Sequence, residues 1–140
     1  MVDEELAPDI PPLPIDRPRL SQVLLNLVRN ALQAMPGGGT LKLRTSLRLD
    51  RAGQRCLEIA VVDEGDGIEA SELENLFIPF YTTKSDGTGL GLPICQRIVQ
   101  AHGGEIDVVS AIGRGSAFLV RLPLLERDTT EDESGDNEVT

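Results

Sequence analysis

The sequence predicts an α+β fold of two layers, a mixed and mostly antiparallel sheet with helices packed on one face. Three observations carry that prediction. Apolar residues recur with helical spacing between Leu20 and Met35, and the next segment alternates apolar and polar from Thr40 to Asp50. Hairpin turns are then marked at 50–54 and 113–115, on either side of a second helical stretch.

In chain order, residues 1–15 are proline-rich and extended, with a short edge strand over 2–6 and then a connector. Asp16 reads as an N-cap, with Pro18 in the first helical turn. Apolar residues at 20, 23, 24, 27, 28, 31, 32 and 35 form one face of an amphipathic helix, which Pro36 and three glycines stop. At roughly 100° per residue, Gln22, Asn26, Arg29, Asn30 and Gln33 gather on the opposite stripe.

Leu41, Leu43, Thr45, Leu47 and Leu49 share one face of the following strand, and Lys42, Arg44, Ser46 and Arg48 share a wet face. After the turn at Asp50, residues 56–62 are more apolar and suit a central strand. A short helix is expected over 70–76, and the second amphipathic helix over 92–101, ended by Gly103 and Gly104. Strands over 105–111 and 116–124 make a last hairpin about Gly113-Arg114-Gly115.

Composition bounds the class. The 140 residues are 40% hydrophobic but only 3% aromatic, so the core is built from Leu, Ile, Val and Ala. No apolar run of about 18 residues and no signal-peptide pattern is present, which predicts a soluble, cytoplasmic domain without membrane contact. Cys56 and Cys95 lack metal-ligand spacing and read as small buried hydrophobes in a reducing compartment. The net charge is −10, with seven acids against Arg127 from Glu126 onward. A folded domain over 1–125 and an acidic, disordered tail over 126–140 are therefore expected. Neither part is basic, which argues against nucleic acid as a partner.

Gly87-Thr88-Gly89-Leu90-Gly91-Leu92 places three glycines at every second position directly before the second amphipathic helix. Without side chains, backbone N–H groups can approach an anion, and the positive end of a helix favours one there. A plain turn has the same composition, so other residues must support phosphate binding. Asn26, Arg29 and Asn30 put two carboxamide oxygens and a guanidinium on one stripe, suited to a hydrated magnesium ion and surrounding phosphates. The alternative is a solvated helix face. Asp63 ends an apolar strand just before Gly65 and Gly67, where an acceptor-only carboxylate can take the exocyclic amine of a purine. The alternative there is a turn aspartate capping local N–H groups.

Together these stretches resemble the catalytic, ATP-binding domain of sensor histidine kinases, in the GHKL superfamily shared with DNA gyrase, HSP90 and MutL. Four boxes stand in order. The N box is Leu24-Leu25-Asn26-Leu27-Val28-Arg29-Asn30-Ala31, and the G1 box is Asp63-Glu64-Gly65-Asp66-Gly67-Ile68. The F box is Phe77-Ile78-Pro79-Phe80-Tyr81-Thr82-Thr83-Lys84, and the G2 box is the glycine loop from Gly87 to Leu92. The resemblance spans about residues 10 to 124, and the short interval between Lys84 and Gly87 is similar to the nitrogen-regulation branch of sensor kinases.

The resemblance implies a Bergerat ATP-binding fold with ATP and Mg²⁺ as cofactors. By it, Asn30 coordinates Mg²⁺, Asn26 assists at the phosphates and Arg29 lies beside them. Asp63 bonds the adenine amine, Ser116 supports it through water, and Gly65, Gly67 and Ile68 shape the base pocket. Gly87, Thr88, Gly89, Leu90 and Gly91 wrap the phosphates, with Thr83 and Leu92 in the same nucleotide shell. Lys84 reads either as a γ-phosphate contact or as a solvated lysine. The implied activity is transfer of the γ-phosphoryl group to a histidine on a separate dimerisation domain, with a response regulator downstream.

Two departures qualify it. The single histidine, His102, lies in Ala101-His102-Gly103-Gly104 without the acid and proline of an acceptor motif, and reads as a helix cap. Asn26 stands where gyrase and MutL relatives carry a glutamate that activates water; an amide cannot take that proton, so a kinase is implied in place of an efficient ATPase. An anti-sigma-type serine kinase, or a nucleotide-binding module that signals by docking, shares the fold. The wording of the N and F boxes favours the histidine branch.

Overall fold

The computed structural model describes residues 2–6, 8, 13, 15–79 and 91–124. In chain order these form β1 (Val2–Glu5), α1 (Arg17–Gln33), β2 (Leu41–Leu49), β3 (Arg55–Asp63), α2 (Ala70–Leu73), α3 (Gly91–Ala101), β4 (Glu105–Ala111) and β5 (Gly115–Pro123). Among the described residues the strands make one sheet in the order β1-β2-β3-β5-β4. β1 runs parallel to β2 at one edge, and the other pairings are antiparallel. The most apolar strand, β3, is central, as its composition predicts. This is the expected α+β architecture, with α1 and α3 on one face.

α1 begins three residues before its apolar periodicity because its cap sits there. The Asp16 side chain accepts the Arg19 N–H at 3.3 Å, and Pro18 occupies the first turn. Leu20, Val23, Leu27 and Ala31 are the buried side chains of α1. They meet Cys95, Ile98 and Val99 of α3 and Leu41, Val61, Ile106, Phe118, Val120 and Leu122 of the sheet in one core. Each large aliphatic side chain buried there contributes about 1.5–3 kcal/mol.

Two expectations need correction. The alternating face of β2 is only partly covered, since Leu47 is 37% and Leu49 67% exposed where the strand outruns the helices. The short helix stops at Leu73, and residues 74–77 continue as turns closed by Asn75 N–H to Glu72 O and Ile78 N–H to Asn75 O. No side chain of α2 is buried, so nothing offsets the cost of extending so short a helix.

The uncovered sheet face is roofed by long charged side chains. Arg121 on β5 donates to Glu58 on β3 at 3.1 Å, and to Glu105 and Asp107 on β4 at 3.1 and 2.6 Å. Arg48 reaches Glu58 and Arg51 reaches Asp107, so both rows of acids are neutralised. These bonds, that to Asp107 foremost, raise the affinity of Arg121 for its proton against the effect of burial. No helix of the described residues is long and apolar enough to cross a membrane.

Candidate nucleotide site

Asp63, Ser116 and Ser110 lie side by side across three adjacent strands. Asp63 at the end of β3 pairs in register with Ser116 on β5, which pairs in turn with Ser110 on β4. Cross-strand partners project to one face, and Phe118, two residues from Ser116, marks it as the core face. Asp63 is 4% exposed and Ser116 7%. Oδ1 of Asp63 accepts the Gly65 N–H at 2.8 Å, so the aspartate does cap its own turn. That bond leaves the second carboxylate oxygen, Oδ2, outside the turn cap.

The loop after Asp63 is clamped on both sides. A Cβ on Gly65 would run into the Ala34 carbonyl at the end of α1, and one on Gly67 into the Ala111 carbonyl at the end of β4. Gly67 also has φ 83°, a conformation that side chains disfavour. The Ile68 N–H donates to Ser110 Oγ at 2.7 Å, and the Gly113 N–H to Asp66 O at 2.8 Å. On the other side, the Glu64 N–H meets Met35 Sδ at 3.3 Å, while Glu64 Oε1 accepts the Thr40 N–H at 3.3 Å.

α1 and α3 run antiparallel. The Asp16 N–H donates to His102 Nε2 at 2.9 Å, and seven residues along each helix the Cys95 thiol faces the Val23 carbonyl at 3.8 Å. Equal rise along the two helices then brings Gly91 level with Leu27, beside Asn26 and Asn30. The polar stripe is accordingly less wet than its helical angle suggests. Gln22, Arg29 and Gln33 are exposed, whereas Asn26 and Asn30 are half-buried. Asn26 Oδ1 accepts from Arg29 Nη1 at 3.5 Å. Burial pushes the Cys95 thiol pKa up, and a hydrogen bond with Asn26 partly opposes that shift.

Among the described residues no group of three His, Cys, Asp or Glu side chains could hold a metal ion. The oxygen donors of the stripe fit a cation held by one amide together with ligand phosphates and water, which is the habit of Mg²⁺.

Of the residues read from sequence, the structure gathers Asp63, Gly65, Gly67, Ile68 and Ser116 at one end of the sheet, and sets Asn26 level with Leu92, with Arg29 and Asn30 in the next turn of α1 just past the level of Gly91. Thr83, Lys84, Gly87, Thr88, Gly89 and Leu90 lie outside the described residues, as does the tail. Sequence reasoning missed Ser110. It also gave Gly115 no role beyond the turn, although its φ of 96° and its approach to the Asp63 carbonyl admit no side chain.

Residues 15–126 match the family model of histidine kinase-, DNA gyrase B- and HSP90-like ATPases. The chain belongs to that family. This histidine kinase-like ATPase domain is 45% identical over 112 residues to the sensor histidine kinase ZraS of Salmonella typhimurium, a match covering 80% of this chain and 23% of that protein. It is 40% identical over 136 residues to the sensory histidine kinase/phosphatase NtrB of Rhodobacter capsulatus, covering 91% of this chain and 38% of NtrB. The crystal structure of full-length ShkA in complex with AMPPNP superposes with a TM-score of 0.74 at 29% identity, over 88% of this chain and 25% of that one. The chain thus spans about a quarter of the length of ZraS. It corresponds to the ATP-binding catalytic module of sensor histidine kinases.

Proposed function

We propose that this domain binds Mg–ATP and passes the γ-phosphoryl group to a histidine on a separate dimerisation domain, from which a response regulator receives it. The observation that carries the reading is Asp63, buried at the end of β3 beside Ser116, with one oxygen spent on Gly65 and a second that this bond does not use. That oxygen accepts the amine of adenine; the carbonyl of guanine would set acceptor against acceptor. Ser116 supports the contact, and Gly65, Gly67 and Ile68 wall the base.

Asn30 supplies a carboxamide oxygen to Mg²⁺, while Asn26 and Arg29 orient the phosphates. Thr83, Lys84 and the N–H groups from Gly87 to Gly91 hold the phosphates near the positive end of α3, with Leu92 behind them. Bound Mg²⁺ neutralises charge on the transferred group. At position 26 the amide accepts no proton from water, so the phosphoryl group is kept for the acceptor. The likeness to ShkA, solved with an ATP analogue, supports this reading.

A ZraS chimera carrying this chain in place of its own matching segment tests it. With γ-labelled ATP the chimera should gain label on histidine, and the same chimera with Asn30→Ala should not. Label on serine, or none, contradicts the proposal.

A further inference from the structure

We propose that Ser110 is the positioning residue of the base-reading site, tying the loop that walls the base to the row that reads it. This rests on Asp63 and Ser116 being the base readers. One oxygen makes three contacts. Ser110 Oγ accepts the Ile68 N–H at 2.7 Å, lies 2.8 Å from Ser116 Oγ, and lies 3.0 Å from the Gly115 carbonyl oxygen.

A hydroxyl has one proton and two lone pairs, which limits the arrangements to two. The Ile68 N–H takes one lone pair. If Ser110 donates to the Gly115 carbonyl, Ser116 must donate into the remaining lone pair, and shows only acceptors beyond the row. If Ser110 donates to Ser116 instead, its bond to the Gly115 carbonyl is given up and the Ser116 proton is released toward the ligand side. Adenine presents a donor for Asp63 and, next to it, a ring nitrogen that needs a donor. In the second arrangement Ser116 itself can donate to it; in the first, a water that donates one proton to Ser116 Oγ supplies the ring nitrogen with its other, so in both Ser110 sets the group that Ser116 presents.

The backbone reinforces the coupling. Gly115 is held against the Asp63 carbonyl, and Gly113 donates to Asp66, so the β4–β5 turn and the loop of the aspartate move as one piece. Ser110 is the side chain that links them. Its loss would orphan the Ile68 N–H, free the Ser116 hydroxyl to rotate, and leave Asp63 untouched.

Equilibrium binding of Mg–ATP and Mg–GTP to the full chain tests this, on variants whose folding is checked by thermal melting. Ser110→Ala should weaken ATP by about tenfold or more and GTP by less, lowering the ratio of the two affinities. Adding Ser116→Ala to it should cost little more, because the two residues act as a unit. Ser110→Thr, which keeps the hydroxyl, should restore wild-type selectivity. If Ser110→Ala does not fold, Ser110→Cys, isosteric but a weak hydrogen-bonder, carries the same test. An unchanged ATP affinity, an equal loss for both nucleotides, additive losses, or failure of the threonine to rescue would overturn the proposal. Asp63→Asn in parallel separates the two levels: if it leaves ATP preference intact, the reading of the site itself fails.

Discussion

The imidazole of His102 accepts the backbone N–H of Asp16 at 2.9 Å, and its other ring nitrogen faces the Ile98 carbonyl oxygen at 2.9 Å. An amide N–H can only donate, so Nε2 is the acceptor and Nδ1 carries the proton that Ile98 receives. The ring is thereby a neutral staple between the start of α1 and the end of α3. His102→Ala should destabilise the domain by about 1–2 kcal/mol, the loss of two hydrogen bonds. It should leave the ATP affinity measured in calorimetry unchanged. A large fall in affinity with unchanged stability would place His102 in the chemistry.

Arg121 should matter more for stability than its distance from the site suggests. Its side chain is 18% exposed and that of its partner Glu58 10%, and removing it takes the salt bridge from Glu105 and leaves Glu58 and Asp107 to the more exposed Arg48 and Arg51. Breaking such a set costs about 3–5 kcal/mol when fully buried, and somewhat less here where Glu105 and Asp107 meet water. Urea denaturation of Arg121→Ala should show a loss of about 2–4 kcal/mol. Arg121→Lys should recover only part of it, because a lysine cannot span the acids with a planar fork.

Gly67→Ala probes the clamp on the nucleotide loop. The left-handed backbone costs a side chain about 1–2 kcal/mol, and the new methyl meets the Ala111 carbonyl. The variant should lose stability in thermal melts and lose ATP affinity together. Gly113→Ala keeps the first of these costs but not the second, since nothing lies within 4 Å of its Cβ, and should spare ATP binding.

The two thiols give a pH signature. Burial raises the pKa of both Cys56 and Cys95, so the folded chain keeps those protons where the unfolded chain has lost them. Their contribution to stability is therefore complete below the ordinary thiol value near 9.0 and is lost as pH rises above it. Stability measured by denaturation should fall more steeply above that pH in the wild type than in Cys56→Ala/Cys95→Ala. At pH 8, alkylation of both thiols should track global unfolding, because each is at most 1% exposed.

How much of this was legible in the sequence depends on range. The spacing of Leu20, Val23, Leu27 and Ala31 and the strand alternation are local, and they named α1, β2 and β3 to within a few residues. A hairpin centred on Gly113 already pairs Ser110 with Ser116, three residues to either side, so Ser110 could have been found from the turn alone. The pairing of Asp63 with Ser116 could not, because it joins strands more than fifty residues apart through long-range packing. For the same reason the half-burial of Asn26 stayed hidden. Helical angle sets the side of α1 on which Asn26 lies, but only the position of Cys95 on α3 shows that this side is partly covered. β2 misled in the opposite way, since perfect alternation says nothing of where the covering helix ends.

The central claim is that Asp63 reads adenine, and titration of ATP and GTP into wild type and Asp63→Asn tests it most directly. Wild type should prefer ATP by at least about tenfold, and the variant should lose that preference while its melting curve stays cooperative, since a mispaired buried polar contact costs about 1–3 kcal/mol. Equal binding of GTP and ATP by the wild type, or full ATP affinity in Asp63→Asn, would contradict it.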